Sequence, residues 1–576
     1  MLLHKYSYIT TFFMNLQVFF REKISDKNCK FAIKSIERVH NHMKHLFING
    51  KIFTSDAKHP YADAMVVQDR KILWTGEQDA MPAAWKEEIA SVTDLEGRRV
   101  IPGFVDAHMH PVMLADFRKK ITIMPPEINS IEELVSAIQK KRSQQPAGAW
   151  IQGWGYDEQG FSEKRSPNRY DLDRGCSDSP VSITRTCAHI RCVNSMALKM
   201  AGIDRNTPDP PGGEIERDEN GEPTGVLKEN ARNLVLLLMP QETAEEHIEN
   251  LLELGQVLIS QGITSICDMG NLDTGDNIPL YEAAAQKGFY PRVGVYYMWD
   301  FFADDPNFSI PQSRMERNRQ IFAAGLKLIG DGSISGRTAW MSRPYYGSDE
   351  EYGISVCSDE LLESAIDFCK KNHCQLSIHA MGGRAISRMI DRVCRESAWT
   401  CENIPYTRIE HVTDPSADSI RKAAEHGISF LSQPIFPYAE SKSYVKNLGE
   451  AWLKECYPYK DMLDAGVSLG FSTDAPATYW SDPTDPFPGL KFAVTRTCTD
   501  GTDGGQAQAV EIETAIRLYT IGAAQAAGFP DTGMLAAGYR ADFVVLSDDI
   551  LHVPSEDIDK VKVVQTYIGG TCVYQR

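Results

Sequence analysis

The 576-residue sequence has no CxxC pair, no low-complexity tract and no excess of positive charge. Its 13 cysteines are an odd, scattered set, which argues against a disulfide framework in a chain of this size and favours reduced, buried thiols. Cys187/Cys192 and Cys369/Cys374 lie close in sequence, but neither pair has the matching second half that a structural zinc needs. The formal net charge of −18 would repel a phosphate backbone, so neither nucleic acid nor an anionic membrane is expected as a partner. A long apolar run is also missing. The first twenty residues, MLLHKYSYITTFFMNLQVFF, are broken by His4, Lys5, Asn15 and Gln17, and no small-residue cleavage site follows. These absences leave a cytoplasmic protein acting on a small molecule, with a homodimer as the candidate assembly.

The length calls for more than one folded unit. Residues 1–42 differ from the rest and read as an extension, either disordered or an upstream start-site artefact, because MKHLFINGKIFT from Met43 already opens a strand. Short β-rich runs with Asn-Gly, Asp-Arg and Gly-Gly punctuation fill 43–100 and return in 530–576, so both ends are expected to form one composite β-sandwich. Between them, 101–529 alternates β-like and helical stretches. Eight β runs stand out: RVIPGFVDAHMH, GITSICDMG, RVGVYYMW, GLKLIGDG, CQLSIHAMG, YTRIEHV, GISFLSQP and VSLGFSTDAP. Eight βα units are the count of an α/β (β/α)8 TIM barrel. The stretch after the first run is too long for a βα loop, and an inserted subdomain over about 112–255 is expected there.

The chemistry begins at His108-Met109-His110. On a strand, residues i and i+2 share a face, so both imidazoles can reach one metal. A lone HxH is a weak signal among 14 histidines, and His40-Asn41-His42 in the extension reads as an accident. Position separates the two, because strand C-termini form the active face of a barrel. Lys327 in GLKLIGDG, His379 in LSIHAMGG, His411 in RIEHV and Asp474 in GFSTDAP have the same placement. Each alone reads more simply as a satisfied structural group. Together, on otherwise apolar strands, they are hard to account for without a metal, since unpaired buried charges cost several kcal/mol.

In this order, PGFVDAHMH, the Lys327 strand, IHAMGG, RIEHV and STDAP resemble the amidohydrolase superfamily, and most closely its YtcJ-like branch. The resemblance covers about 43–576 and includes NSMALKMAGI, TPDPPGGEIERDENGEPTGVL, DGSISGRTAW, DPFPGLKFAVTR and ADFVVLSDDIL. It implies two divalent metal ions, zinc above all, bridged by Lys327 after carbamylation by CO2. His108, His110 and Asp474 would hold one ion, and His379 and His411 the other. Asp474 would carry the proton from the attacking water to the leaving nitrogen in hydrolysis of an amide, N-formyl or cyclic amide bond.

Two departures stand out. Gly383 replaces the aspartate of an HAxGD pattern, which removes a carboxylate near His379, and Ala188 precedes His189 where glycine is common. The resemblance places the insertion over the barrel mouth, which makes Trp154, Asp157 and His189 candidate substrate contacts, together with Arg337. Asp331 and Arg337 read equally well as a loop-ordering ion pair. Two other readings remain. One is a deaminase of an amino-heterocycle, against which stand the strand lysine and the HVTD that follows at His411. The other is a non-catalytic regulatory protein, against which stands the complete ligand set.

Overall fold

Eight parallel strands form one nearly closed sheet in sequence order. They are β1 (Phe104–Met109), β2 (Ile263–Asp268), β3 (Arg292–Met298), β4 (Ile321–Ile329), β5 (Gln375–Ala380), β6 (Thr407–His411), β7 (Ser429–Ser432) and β8 (Leu469–Phe471). The computed structural model describes residues 43–576 apart from 159, 187–189, 241, 271–274 and 402, so the extension and its His40-Asn41-His42 lie outside the described residues. Each strand falls within one of the apolar runs read from the sequence except β4, which begins at Ile321, four residues before GLKLIGDG. Every residue of β1, β2 and β3 is buried, as expected of parallel strands covered on both faces.

The intervening helices cover the barrel with 3–4-spaced apolar stripes. The helix Asp359–Asn372 buries Leu362, Ala365, Ile366 and Cys369; Ser358 caps its start and left-handed His373 ends it. Helix Gly383–Val393 buries Ala385, Ile386, Met389, Ile390 and Val393 between β5 and β6. Close approach of β4 to β5 depends on Gly325, where a Cβ would lie 1.8 Å from the carbonyl oxygen of Gln375. The described cysteines are free thiols, Cys369 and Cys374 among them.

The barrel does not close by a strand ladder alone. At the C-terminal end of β1 and just past β8, the Asp474 amide donates to the His108 carbonyl at 2.7 Å and the His110 amide to the Ala475 carbonyl at 2.8 Å. Asp106 reinforces the seam by accepting from the Thr473 amide at 3.1 Å and from its hydroxyl.

Between β1 and β2 the chain builds a six-stranded sheet of its own, ordered 213–217, 223–229, 190–193, 181–185, 151–156 and 121–122. Ile123, Leu134, Ile138, Ile151, Leu172 and Ile183 form its separate core. It touches the loop after β8: Ser481 donates its amide to the Pro125 carbonyl at 2.9 Å, and a Cβ on Gly160 would meet the Tyr479 hydroxyl at 2.5 Å.

Strands from both chain ends share another six-stranded sheet, in which Phe543–Leu546 pairs with Arg99–Pro102 on one side and Val563–Ile568 on the other. A four-stranded sheet holding Lys44–Ile48 packs against it. Phe543 stacks on Tyr567 at 4.4 Å and meets Phe47 edge-on at 5.0 Å. Because Phe543 fills a core made jointly by both ends, Phe543→Ala should cost about 3–5 kcal/mol in equilibrium denaturation followed by circular dichroism. A cost below about 1 kcal/mol, in the range of surface substitutions, would mean that the two ends do not share a core.

Candidate metal centre

The closure of β1 on β8 places Asp474 against two histidines. Asp474 Oδ1 lies 3.3 Å from His108 Nε2 and 3.4 Å from His110 Nε2, and Oδ2 lies 4.0 Å from His411 Nδ1. The His411 ring is 4.8 Å from that of His108 and 4.3 Å from that of His379. Left-handed backbone aims two of these groups, with φ of 77° at His411 and 58° at Asp474. On β6, Ile409 belongs to the outer apolar layer while Glu410 reaches inward to His108. Strict alternation would turn His411 outward; its positive φ instead brings both neighbours to the cavity, and such strain is characteristic of functional sites.

Each imidazole has one nitrogen engaged and one left over. His108 Nδ1 is bound to Glu410 Oε2 at 2.6 Å, and His110 Nδ1 to the Gly270 carbonyl at 2.8 Å. His411 Nδ1 meets Gln433 Oε1 at 2.8 Å, while His379 Nε2 meets the Gly332 carbonyl at 2.9 Å. An acceptor on one nitrogen fixes that nitrogen as the donor and frees the other as a lone-pair ligand. The unengaged set is therefore Nε2 of His108, His110 and His411, and Nδ1 of His379.

Lys327 completes the group. Leu326 and Leu328 pack into the outer layer, so alternation turns Lys327 inward, where it is 1% exposed and its Nζ has no hydrogen-bond partner among the described residues. Burial draws its amine down to about 8, against the opposing charges of Glu410 and Asp474. Burial, followed by the Lys327 charge, brings His379 down to about 4, and burial and His379 hold His411 well below the usual range. Burial pushes the Asp474 carboxyl up, but His108 and His110 outweigh it and hold the group well below the carboxylate range. Imidazoles of which burial holds His379 and His411 neutral, an anionic carboxylate and two buried orphans, Lys327 Nζ and Asp474 Oδ1, are a donor set that fits divalent cations.

Behind the candidate ligands stand Glu410 and Arg408, which the sequence did not single out, and Asp331, which it offered only as a partner for Arg337. Glu410 accepts from Ser377 at 2.6 Å and pairs with buried Arg408 as well as His108. Arg408 and His108 keep it anionic despite complete burial. Asp331 accepts from the amides of Trp340, Met381 and Gly382 at 2.8–3.0 Å and lies 3.5 Å from His379 Nε2. It thus provides a carboxylate beside His379 from the loop that follows the neighbouring strand β4. A Cβ at Gly383 would approach an Asp414 carboxylate oxygen to 2.9 Å, so the space for an aspartate there is already filled.

The ion pair considered for Asp331 and Arg337 does not form. Arg337 binds Glu351 through two nitrogens at 3.0 and 2.6 Å and the Tyr346 carbonyl at 3.3 Å, so its donors are engaged within its own loop. Trp154 packs on Phe117 with ring centroids 4.4 Å apart, and its buried Nε1 has no hydrogen-bond partner among the described residues. Asp157 lies 3.7 Å from Arg185. His189 lies outside the described residues.

A histidine-rich cation site at the C-terminal mouth of a (β/α)8 barrel defines a metal-dependent hydrolase architecture. The chain belongs to the amidohydrolase family, which matches residues 91–574. It is 28% identical to a putative amidohydrolase, YtcJ, of Bacillus subtilis over 93% of this chain and 100% of that protein. It is also 28% identical to the N-substituted formamide deformylase of Arthrobacter pascens, over 92% and 98% of the two chains. Among solved structures, an uncharacterized metal-dependent hydrolase from Pyrococcus horikoshii superposes with a TM-score of 0.70 at 25% identity, covering 89% of this chain and 99% of that one.

Glu410 fixes His108 without reaching the cation position itself. Glu410→Gln keeps the shape but removes the charge and should weaken zinc affinity about 10–100-fold, read by chelator competition. Unchanged affinity would show that His108 is oriented without it.

Proposed function

We propose that the protein hydrolyses a C–N bond in a linear amide, an N-formyl compound or a cyclic amide, using two divalent ions, with zinc the best match to the imidazole set. The observation that carries this reading is Lys327: a buried amine with no hydrogen-bond partner among the described residues, whose charge acts on His110, His379 and His411 and which itself feels Asp474 and Glu410. A neutral amine at Lys327 would combine with CO2, releasing a proton, and the resulting carbamate would supply anionic oxygen to the ions. His108, His110 and Asp474 would hold one ion and His379 and His411 the other. When bound, such ions lower the pKa of a water to about 7 and polarise the scissile carbonyl.

The chain's own groups do the rest. Asp474 turns Oδ1 toward His108 and His110, leaving Oδ2, on the His411 side, to receive a proton. That proton comes from the attacking water as the C–O bond forms, and Asp474 returns it to the nitrogen as the C–N bond breaks. Glu410, Gln433 and the Gly270 and Gly332 carbonyls keep the imidazoles aimed throughout. The relative named for N-substituted formamides supports the C–N bond as the target. Deamination of an amino-heterocycle is the competing reading, and it leaves Lys327 without a role.

The test is hydrolysis of a panel of N-formyl, N-acyl and cyclic amides by zinc-loaded protein, with Lys327 variants alongside. Lys327→Ala should lose metal and activity together, with turnover down about 10²–10⁴-fold and partly restored by a short carboxylic acid plus zinc. Lys327→Arg keeps the charge but forms no carbamate and should be as inactive. Two ions per chain and near-normal turnover in Lys327→Arg would refute the bridging role.

A further inference from the structure

The helix Ile435–Leu448 follows β7 and brings a second carboxylate to the barrel mouth. Its Phe436 ring lies parallel to His411 at 5.9 Å, which fixes the face that this helix turns toward the metal-binding cluster. Glu440 is four residues on and therefore on the same face. It is also the residue at which the helix leaves helical geometry, with φ −108° and ψ 19°. Its Oε1 accepts from the Tyr479 amide at 3.4 Å, on the loop after Asp474, and its carboxyl also accepts from the Ser335 hydroxyl, on the loop after Lys327. Loops from β4, β7 and β8 thus converge on this one carboxyl at the catalytic end.

Glu440 forms no ion pair among the described residues, and the charged group nearest in effect is Asp474, of like sign. Burial pushes its carboxyl up to about 7, yet the residue keeps some solvent exposure, the combination expected at the bottom of a cleft. The next loop residue, Tyr479, feels Asp157 and Glu158 of the insertion, both of which face Arg185. Arg185 pairs with acids of the insertion, and among the described residues Glu440 has two donors and no cation. Both of its bonds are accepted ones, so its remaining lone pairs are available only to a donor. A carboxylate held this way gains most from a ligand that carries the missing positive charge.

We propose that Glu440 is a specificity residue that binds an ammonium group on the substrate's amine portion, so that the preferred substrates are amides or formamides of diamines. This rests on the C–N hydrolase reading above but is tested separately from it. The probes are N-(4-aminobutyl)formamide and its near-isostere N-pentylformamide for turnover, and 1,4-diaminobutane against pentylamine for binding by titration calorimetry. The wild-type protein should favour the aminobutyl substrate in kcat/KM, mainly through KM, and bind the diamine more tightly than pentylamine. Glu440→Gln should reduce that kcat/KM preference and the diamine preference each by tenfold or more, with zinc content unchanged. Equal loss on both formamides, no diamine preference in the wild type, or loss of zinc in Glu440→Gln would each overturn the assignment. If neither formamide is hydrolysed while the Glu440-dependent diamine preference stands, the C–N reading fails and the ammonium site survives.

Discussion

Two backbone hydrogen bonds, from the Asp474 amide to the His108 carbonyl and from the His110 amide to the Ala475 carbonyl, join the first barrel strand to the last. They lie at the C-terminal ends of β1 and β8, which share no regular ladder, so the seam is made by the residues that also carry the candidate cation-binding groups. Closing the barrel and assembling His108, His110 and Asp474 are one event. A shift of either strand by one residue would invert its side chains and open both the seam and the site. Asp106, which accepts from both the amide and hydroxyl of Thr473, secures this register from within.

The same economy governs charge inside the barrel. Lys327, Arg408, Glu410 and Asp474 are all buried, an arrangement that costs several kcal/mol per group unless each is compensated. Arg408 and Glu410 compensate each other, and Glu410 also orients His108. Lys327 and Asp474 Oδ1 are left over, and both lie where four imidazoles present unengaged nitrogens. Inside the barrel, Arg408 and Glu410 form the satisfied frame, and Lys327 Nζ and Asp474 Oδ1 are the charged groups left for a cation to satisfy under the proposed function.

Much of this was legible from the chain. The barrel strands are nearly uninterrupted apolar runs ended by a polar residue, and that contrast singles out Lys327, His379 and His411 whatever their surroundings. The groups behind them left no such mark. Glu410 precedes His411 by one residue, where alternation puts it on the opposite face, and only the left-handed backbone at His411 reconciles the two. Asp331 and Arg337 share one short loop and suggest a pair. Backbone amides of Trp340, Met381 and Gly382 take the first, and Glu351, 14 residues further on, takes the second. Glu440 sits in a helix whose sequence gives no sign of the break that coincides with it. Local sequence thus marked the candidate ligands, while their orientation depends on contacts between distant strands.

We propose that His108, His110, Lys327, His379, His411 and Asp474 form a single two-ion site bridged through the lysine. Its most direct test is anomalous diffraction at the zinc edge from crystals grown with zinc and bicarbonate. The account predicts two zinc peaks among these side chains, with continuous density extending Nζ of Lys327 into a carbamate that reaches both. A single peak beside an unmodified lysine, or zinc bound elsewhere with this cluster vacant, would contradict it.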